Sequence, residues 1–314
     1  MIAANAVVPA RAALAGNPSD GYAGAVLAVT IDEFAARVRA SGAPRLVVAP
    51  ESALVEATVR RFARHLEPRA LATAVRWSTS IPRCVGLGGS SAIVIATLRA
   101  LCRLYSVRLS DAALATLALA VETEELGITA GLQDRVAQAY GGLTFMDFGH
   151  HHRYERLDHR ALPPLVVAWR THTAEESGSV HDDLRARFDR GDPTARAAMA
   201  ELASLASRAR DAILVGDRFE LAACVDGSFD ARESMIALDP RHAEMIKVAR
   251  RGGASANYTG SGGAIVAVCE DASHQEAVAQ ALAAAACAVV SVNQGFSRPA
   301  TPAETRRLPR LAPG

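Results

Sequence analysis

Pro82-Arg83-Cys84-Val85-Gly86-Leu87-Gly88-Gly89-Ser90-Ser91-Ala92, followed by Ile93-Val94-Ile95-Ala96-Thr97-Leu98-Arg99-Ala100-Leu101, is the stretch on which the reading of the chain turns. Behind it, Leu71 to Thr79 alternates and carries β-branched residues, the pattern of a strand. Ahead of it, the Ala/Leu/Ile run has no helix breaker. The order is strand, glycine loop, helix. Gly86, Gly88 and Gly89 let the backbone come close to a ligand. Ser90 or Ser91 is placed to cap the helix while the first-turn N–H groups point outward. Such a helix start attracts anions, most often phosphate. A glycine turn capped by serine for structural reasons alone has the same local pattern, so the decision falls to the rest of the chain.

The 314 residues have room for one large or two ordinary domains. Half are apolar, 5% are aromatic and the formal net charge is +1, so no global field calls for nucleic acid or an anionic membrane. No apolar run approaches the ~18 residues of a membrane span. Lys247 is the one lysine, so a cation acting on phosphate or carboxylate here is an arginine, which can bind such groups bidentately. The five cysteines, at 84, 102, 224, 269 and 287, form no CxxC pair, so neither a disulfide framework nor a zinc site is expected. A reducing cytoplasm fits that usage.

Working outward, residues 6–16 read as a strand ending in the turn formers Gly16-Asn17-Pro18-Ser19-Asp20-Gly21, and Ala25 to Ile31 reads as the next. Leu46 to Ala49 reads as a strand, Ser52 to Leu66 as an amphipathic helix, and Ala112 to about Glu125 as a helix capped by Ser110-Asp111. After a glycine-rich break, Arg135 to Tyr140 reads as a short helix and Leu143 to Phe148 as a strand. The polar, histidine-rich 149–156 reads as a solvated loop. A domain boundary is expected near it, giving domains over 1–152 and 153–294 and a mobile tail over 295–314. In the second part, Leu165 to Trp169, Ala264 to Cys269 and Ala288 to Val292 read as strands. Pro193 to Leu214, Asp217 to Leu238, His242 to Arg250 and Gln275 to Ala286 read as helices, and Gly252 to Gly263 forms a second glycine-rich segment.

Two familiar nucleotide fingerprints fail. A GxxxxGK[ST] loop needs a lysine that is nowhere near Gly86, and a dinucleotide fold needs an acidic strand end some twenty residues after the glycines, where Ser106 to Ser110 connects two helices. The chain instead resembles the GHMP kinases, a superfamily of galactokinase, homoserine kinase, mevalonate kinase and phosphomevalonate kinase, through three motifs in the family's order over roughly residues 8–292. Pro82 with Gly86-Leu87-Gly88-Gly89-Ser90-Ser91-Ala92 resembles the phosphate loop. Arg11 to Asp20, with arginine, glycine and aspartate at galactokinase spacing, resembles the substrate-side motif, and Gly260-Ser261-Gly262-Gly263 resembles the third. Within the superfamily, Ile81 to Val94, Glu124 to Gln138, Gly16 to Tyr22, Ser177 to His181 and Tyr258 to Ala264 look like plant-type glucuronokinase.

The resemblance implies an α+β, two-domain GHMP fold, with an N-terminal α/β domain of the ribosomal-protein-S5-like type, a C-terminal ferredoxin-like α+β domain and the active site between them. It implies ATP and Mg2+ as cofactors and a small sugar acid as substrate, with no nucleic acid or membrane partner; a homodimer is left open. The implied reaction moves the ATP γ-phosphoryl group to the anomeric hydroxyl of D-glucuronate. Other sugars (galacturonate, galactose, arabinose) and a silent sugar- and nucleotide-binding sensor stand as alternatives. Asp134 is expected as the catalytic aspartate with Arg11 as its cationic neighbour, its plain alternative being a helix cap. Glu122, twelve residues earlier, is expected on the metal with Ser90, or with Ser91 if the alignment slips by one; a surface helix charge is the alternative for Glu122. Pro82 and 86–92 would hold ATP, while Asn17, Asp20, Arg135, Gly260, Ser261 and Gly262 would meet the sugar. A uronate's carboxylate needs a cation, for which Arg83 and Arg135 are the nearest in sequence and Arg185 and Arg187 the outsiders.

Overall fold

A computed structural model describes residues 3–170, 178–236 and 238–292, and of residues 178–183 the backbone only. The expected tail and Ser177 lie outside the described residues. Two sheets organise the fold. The first holds β1 (Ala3–Ala15), β2 (Ala25–Gly42), β3 (Val47–Ala49), β4 (Thr73–Thr79), β5 (Leu143–Asp147) and β6 (Arg153–Leu157). β1 runs antiparallel along one side of β2, and β4 and β5 pair with successive halves of its other side. The sequence pattern predicts a strand ending at Ile31, where Asp32-Glu33 break the apolar run; the observed strand continues to Gly42 through a register shift opposite Pro9/Ala10. Proline has no N–H to give the ladder, so a bulge forms there and the long ribbon bends.

The second sheet has the order β10-β7-β9-β8, from β7 (Leu165–Trp169), β8 (Ser255–Tyr258), β9 (Ala264–Val268) and β10 (Ala288–Val292), all antiparallel. β8 was not expected, because it lies inside a segment read as glycine-rich loop. β6 pairs with β5, so His150 to His152, beside the expected boundary, form an exposed turn within the first sheet. We propose that the division falls between β6 and β7.

Nine α-helices are present among the described residues: α1 (Ala53–His65), α2 (Gly89–Tyr105), α3 (Asp111–Ala120), α4 (Gln133–Tyr140), α5 (Gly178–Asp189), α6 (Pro193–Val215), α7 (Arg218–Glu233), α8 (Pro240–Arg251) and α9 (Ala272–Ala284). α2 is the axis of the N-terminal part. Val94, Ile95, Ala96, Leu98 and Leu101 are all fully buried, packed against β1 and β2 and among α1, α3 and α4. Each such valine, leucine or isoleucine side chain contributes roughly 1.5–3 kcal/mol on leaving water. That burial anchors a helix whose N-terminus must be held still. Leu165, Val167, Val266 and Val268 on one face of the second sheet join the same core, while Val166, Ala168, Ile265 and Ala267 pack with Phe229, Ile246 and Val278 from the covering helices. Among the described residues no helix is long and apolar enough to cross a membrane.

Candidate active site

The phosphate-loop stretch reaches α2 through left-handed residues at Cys84, Gly86 and Gly88, with φ of 57°, 73° and 71°. Gly88 itself is the N-cap, and neither serine caps the helix as expected. They are the second and third residues of the helix. Ser91 is fully buried, its hydroxyl donating to Gly88 O (3.1 Å) and Gln138 Oε1 (2.6 Å), whereas Ser90 is exposed on the first turn. With no capping side chain, the first N–H groups of α2 stay available, as an anion site requires.

The two glycine-rich segments touch. A Cβ on Gly86 would lie 2.9 Å from Gly262 O and 3.1 Å from Ser261 N, and one on Gly260 would lie 2.6 Å from Gly86 O and 2.7 Å from Arg11 Nη2. Only glycine permits that approach. Arg11, on the buried half of β1, sits at the junction. Its Nη1 donates to Gly86 O (2.7 Å) and to Thr259 O, while Nε donates to Asp134 Oδ1 (2.7 Å) and Nη2 lies 2.7 Å from the same oxygen. Gln138, buried on α4, donates to Pro9 O (2.9 Å) and Gly88 O (2.8 Å), tying the loop to β1 and to the helix that carries Asp134. The signal for Gln138 in the sequence is its amide, which has both a donor and an acceptor to spend.

Asp134 and Asp20 are set apart electrostatically. Burial pushes Asp134 toward the neutral form, but the charge and hydrogen bond of Arg11, helped by Arg135, outweigh it and hold its pKa below the usual carboxylate value. Asp20, half-buried, is pushed up to about 7 by burial first and then by the charge of Asp134, against hydrogen bonds from the Gln133 and Gly21 backbone and the charge of Arg11. Its bond from Gln133 N supplies α4 with the cap that Leu132 lacks. Two neighbouring carboxylates with opposite shifts form an arrangement suited to proton handling.

Glu122 departs from expectation. It lies on a turn of π-helix, Val121–Glu125, 1% exposed, so it is no surface charge. Arg135 closes on it: Nε donates to Glu122 Oε2 at 2.8 Å, Nη2 bonds the same oxygen, and Nη1 donates to Gly131 O (2.7 Å). Buried opposite charges neutralise each other because neither tolerates isolation in a low dielectric. Arg135, expected at the substrate, is thereby engaged elsewhere. Arg187 is bonded to Asp192 (2.8 Å) and Met235 O (2.9 Å); Arg185 is exposed, bonded to Asp189 (3.0 Å) and Gly21 O (2.9 Å); Arg83 is exposed.

The cation that sequence reasoning missed is Arg232 on α7. It is 3% exposed and donates to Asn17 Oδ1 (3.0 Å), Gly260 O (2.7 Å) and Ser261 O (3.0 Å), while Asn17 Nδ2 donates to Gln133 Oε1 (2.7 Å). The structure thus brings Arg11, Asn17, Asp20, Asp134, the phosphate loop and the 260–262 turn into one groove.

The N-terminal and C-terminal family models of the GHMP kinases match residues 53–142 and 199–288. The chain is 35% identical over 309 residues to Glucuronokinase 1 of Arabidopsis thaliana, covering 85% of each. The chain belongs to the GHMP kinases. Its fold is theirs as well: galactokinase of Lactococcus lactis, solved with galactose, superposes with a TM-score of 0.78 over 92% of each chain at 13% identity. Phosphomevalonate kinase of Streptococcus pneumoniae gives 0.77 over 92% of this chain and 98% of its own at 15% identity. As a GHMP kinase the protein is an ATP-dependent kinase, and its relatives place it among the sugar kinases.

Proposed function

We propose that this GHMP kinase phosphorylates D-glucuronate at its anomeric hydroxyl, giving glucuronate 1-phosphate and ADP. The observation that carries the reading is Arg11, bonded at once to Asp134 and to Gly86 O of the phosphate loop, which fixes the acceptor side against the donor side. The likeness to the plant glucuronokinase supports the choice of sugar.

In this reading the open amides at the start of α2 hold ATP phosphate oxygens and Asp134 receives the sugar hydroxyl. Phosphoryl transfer needs little pull on the nucleophile's proton until the new P–O bond is well formed. A carboxylate held ionised by Arg11 suits that timing, because it orients the O–H first and accepts the proton late. Arg11, paired on one side and bonded to the loop on the other, keeps positive charge beside the transferring group. Asn17 and Asp20 meet ring hydroxyls, with the 260–262 turn closing the groove.

The donor set fits magnesium in part. Ser90 presents an exposed hydroxyl at the helix start, and Asp134 Oδ1 alone takes the two close bonds from Arg11. Arg135 takes Glu122 Oε2, which leaves Oε1 as that residue's remaining donor. Magnesium keeps several waters and takes one or two protein ligands, so Ser90 with one carboxylate is enough. When bound it would neutralise phosphate charge. A reducing cytoplasm remains the compartment we favour, since all five cysteines are free.

The test is ADP release from ATP and magnesium in the presence of glucuronate, by the chain and by Asp134→Asn. We expect sugar-dependent turnover that falls about 10²-fold or more in the variant, with ATP affinity nearly intact. Equal turnover by the two would remove Asp134 from the mechanism.

A further inference from the structure

The buried arginines of the site are matched to carboxylates with one exception. Arg11 faces Asp134, and Arg135 faces Glu122. Arg232 has no carboxylate partner among the described residues. Its contacts are one side-chain amide, two peptide carbonyls and the ring of Tyr258, 5.2 Å from its guanidinium carbon. Three of its donor hydrogens are thus assigned, out of the five an arginine carries, and its Nε is buried without a partner. Burial alone pulls its pKa down to about 10, with only Tyr258 opposing. A guanidinium held in a low dielectric without a counter-charge is costly unless an anion arrives to match it.

Asn17 is where that charge meets the groove. Arg232 holds its Oδ1 and Gln133 Oε1 takes one hydrogen of Nδ2, so the amide is locked from both ends. Asn17 is half-buried while both partners are buried, which leaves the second Nδ2 hydrogen as the exposed donor of the trio. Gln133 Nε2, buried and unpartnered, stands beside it with a further donor to give. Beside Asp20, the open side-chain hydrogens of Asn17, Gln133 and Arg232 are all donors, and Arg232 is the buried cation behind them. That is the complement of a carboxylate.

We infer that Arg232 is the positioning and charge-compensating residue for the carboxylate of the sugar acid, acting through Asn17, and so sets the preference for uronates over neutral hexoses. The inference rests on the reading of the chain as a glucuronate kinase. It also gives the 260–262 turn a reason for its orientation, because carbonyls 260 and 261 point to Arg232 while Ser261 N and Gly262 N lie on the side of Gly86.

The test compares wild type, Arg232→Gln, Arg232→Lys and Asn17→Asp in the KM for glucuronate, the inhibition constant of D-glucose against it, and the KM for ATP. Arg232→Gln should lower the glucuronate-over-glucose preference roughly 30-fold or more, the scale of a lost buried charge contact, with ATP little affected. Arg232→Lys should keep much of the preference. Asn17→Asp, which sets a carboxylate against Arg232 and cancels its charge in place, should lower it as Arg232→Gln does while adding an ion pair to the fold. Equal losses for both sugars in Arg232→Gln, together with an unchanged preference in Asn17→Asp, would reduce Arg232 to a prop for the turn. Should Arg232→Gln fail to fold, Arg232→Lys decides: a preference kept with the charge supports the inference, and a preference lost with the charge still in place overturns it. A wild type with no preference for glucuronate overturns the functional reading itself, and this inference with it.

Discussion

Burial brings the titration of Asp20 into the neutral range. Expected from the sequence to meet the sugar, it is held near half-protonation at neutral pH, its pKa raised to about 7 by burial and by Asp134. Below that pH it can donate to a ring oxygen and does not oppose the substrate's carboxylate. The folded state binds this proton more tightly than the unfolded chain, so stability contributed by the protonated form is lost as pH climbs from the ordinary carboxylate value of 3.8 to about 7. Asp20→Asn removes that loss. Its melting temperature should exceed wild type's by a margin that widens from pH 5 to pH 7 and is level above about pH 8. A margin that stays constant or shrinks with rising pH would show that Asp20 is not raised. Neither the shift nor the pairing of Glu122 with Arg135 was legible in the sequence. Both arise from groups brought together by folding, the second pair across a π-helical turn and the glycine-rich break that follows it.

At the scale of the element, the start of α2 carries a choice the sequence left open. Gapless alignment puts the metal on Ser90, a one-residue slip puts it on Ser91. The structure spends the Ser91 hydroxyl on Gln138 and Gly88 inside the core and leaves Ser90 exposed. Ser90→Ala should therefore raise the magnesium concentration needed for half-maximal rate. Ser91→Ala should instead lower stability by about 1–2 kcal/mol through the unsatisfied Gln138 oxygen, with less effect on magnesium. The reverse ranking in magnesium titrations would show that the alignment is a residue out. Strand, loop and helix were readable here because their signals are local: alternation before the glycines, an unbroken apolar run after them. β2 was read short and β6 and β8 were missed because their strand character comes from pairing, against β1 and β4, β5, and β9 respectively, and their own sequences are polar or glycine-flanked.

In the whole molecule, the candidate site lies where the two sheets share a core. Arg11 and Asn17 come from the first sheet and the loop after it, Arg232 and the 260–262 turn from the second part, and the Arg11–Thr259 and Arg232–Asn17 bonds join them. The motifs announced this groove because glycines and an arginine–aspartate pair leave marks at fixed spacing. Arg232 left none, since a single arginine in an acidic helix, Asp230-Ala-Arg232-Glu233, reads as an ordinary surface residue. Burial, which it shares with Arg11 and Arg135, separates it from the surface arginines, and burial is a property of the fold. The central claim, phosphoryl transfer to the anomeric oxygen of a sugar acid, is tested most directly by the product. Phosphorus and proton NMR of a reaction with ATP, magnesium and an equimolar mixture of glucuronate, galacturonate, glucose and galactose reads both the sugar chosen and the oxygen phosphorylated. The account predicts glucuronate consumed first, with phosphorus coupled to the anomeric proton; a neutral hexose phosphate, or a phosphate on any other carbon, would contradict it.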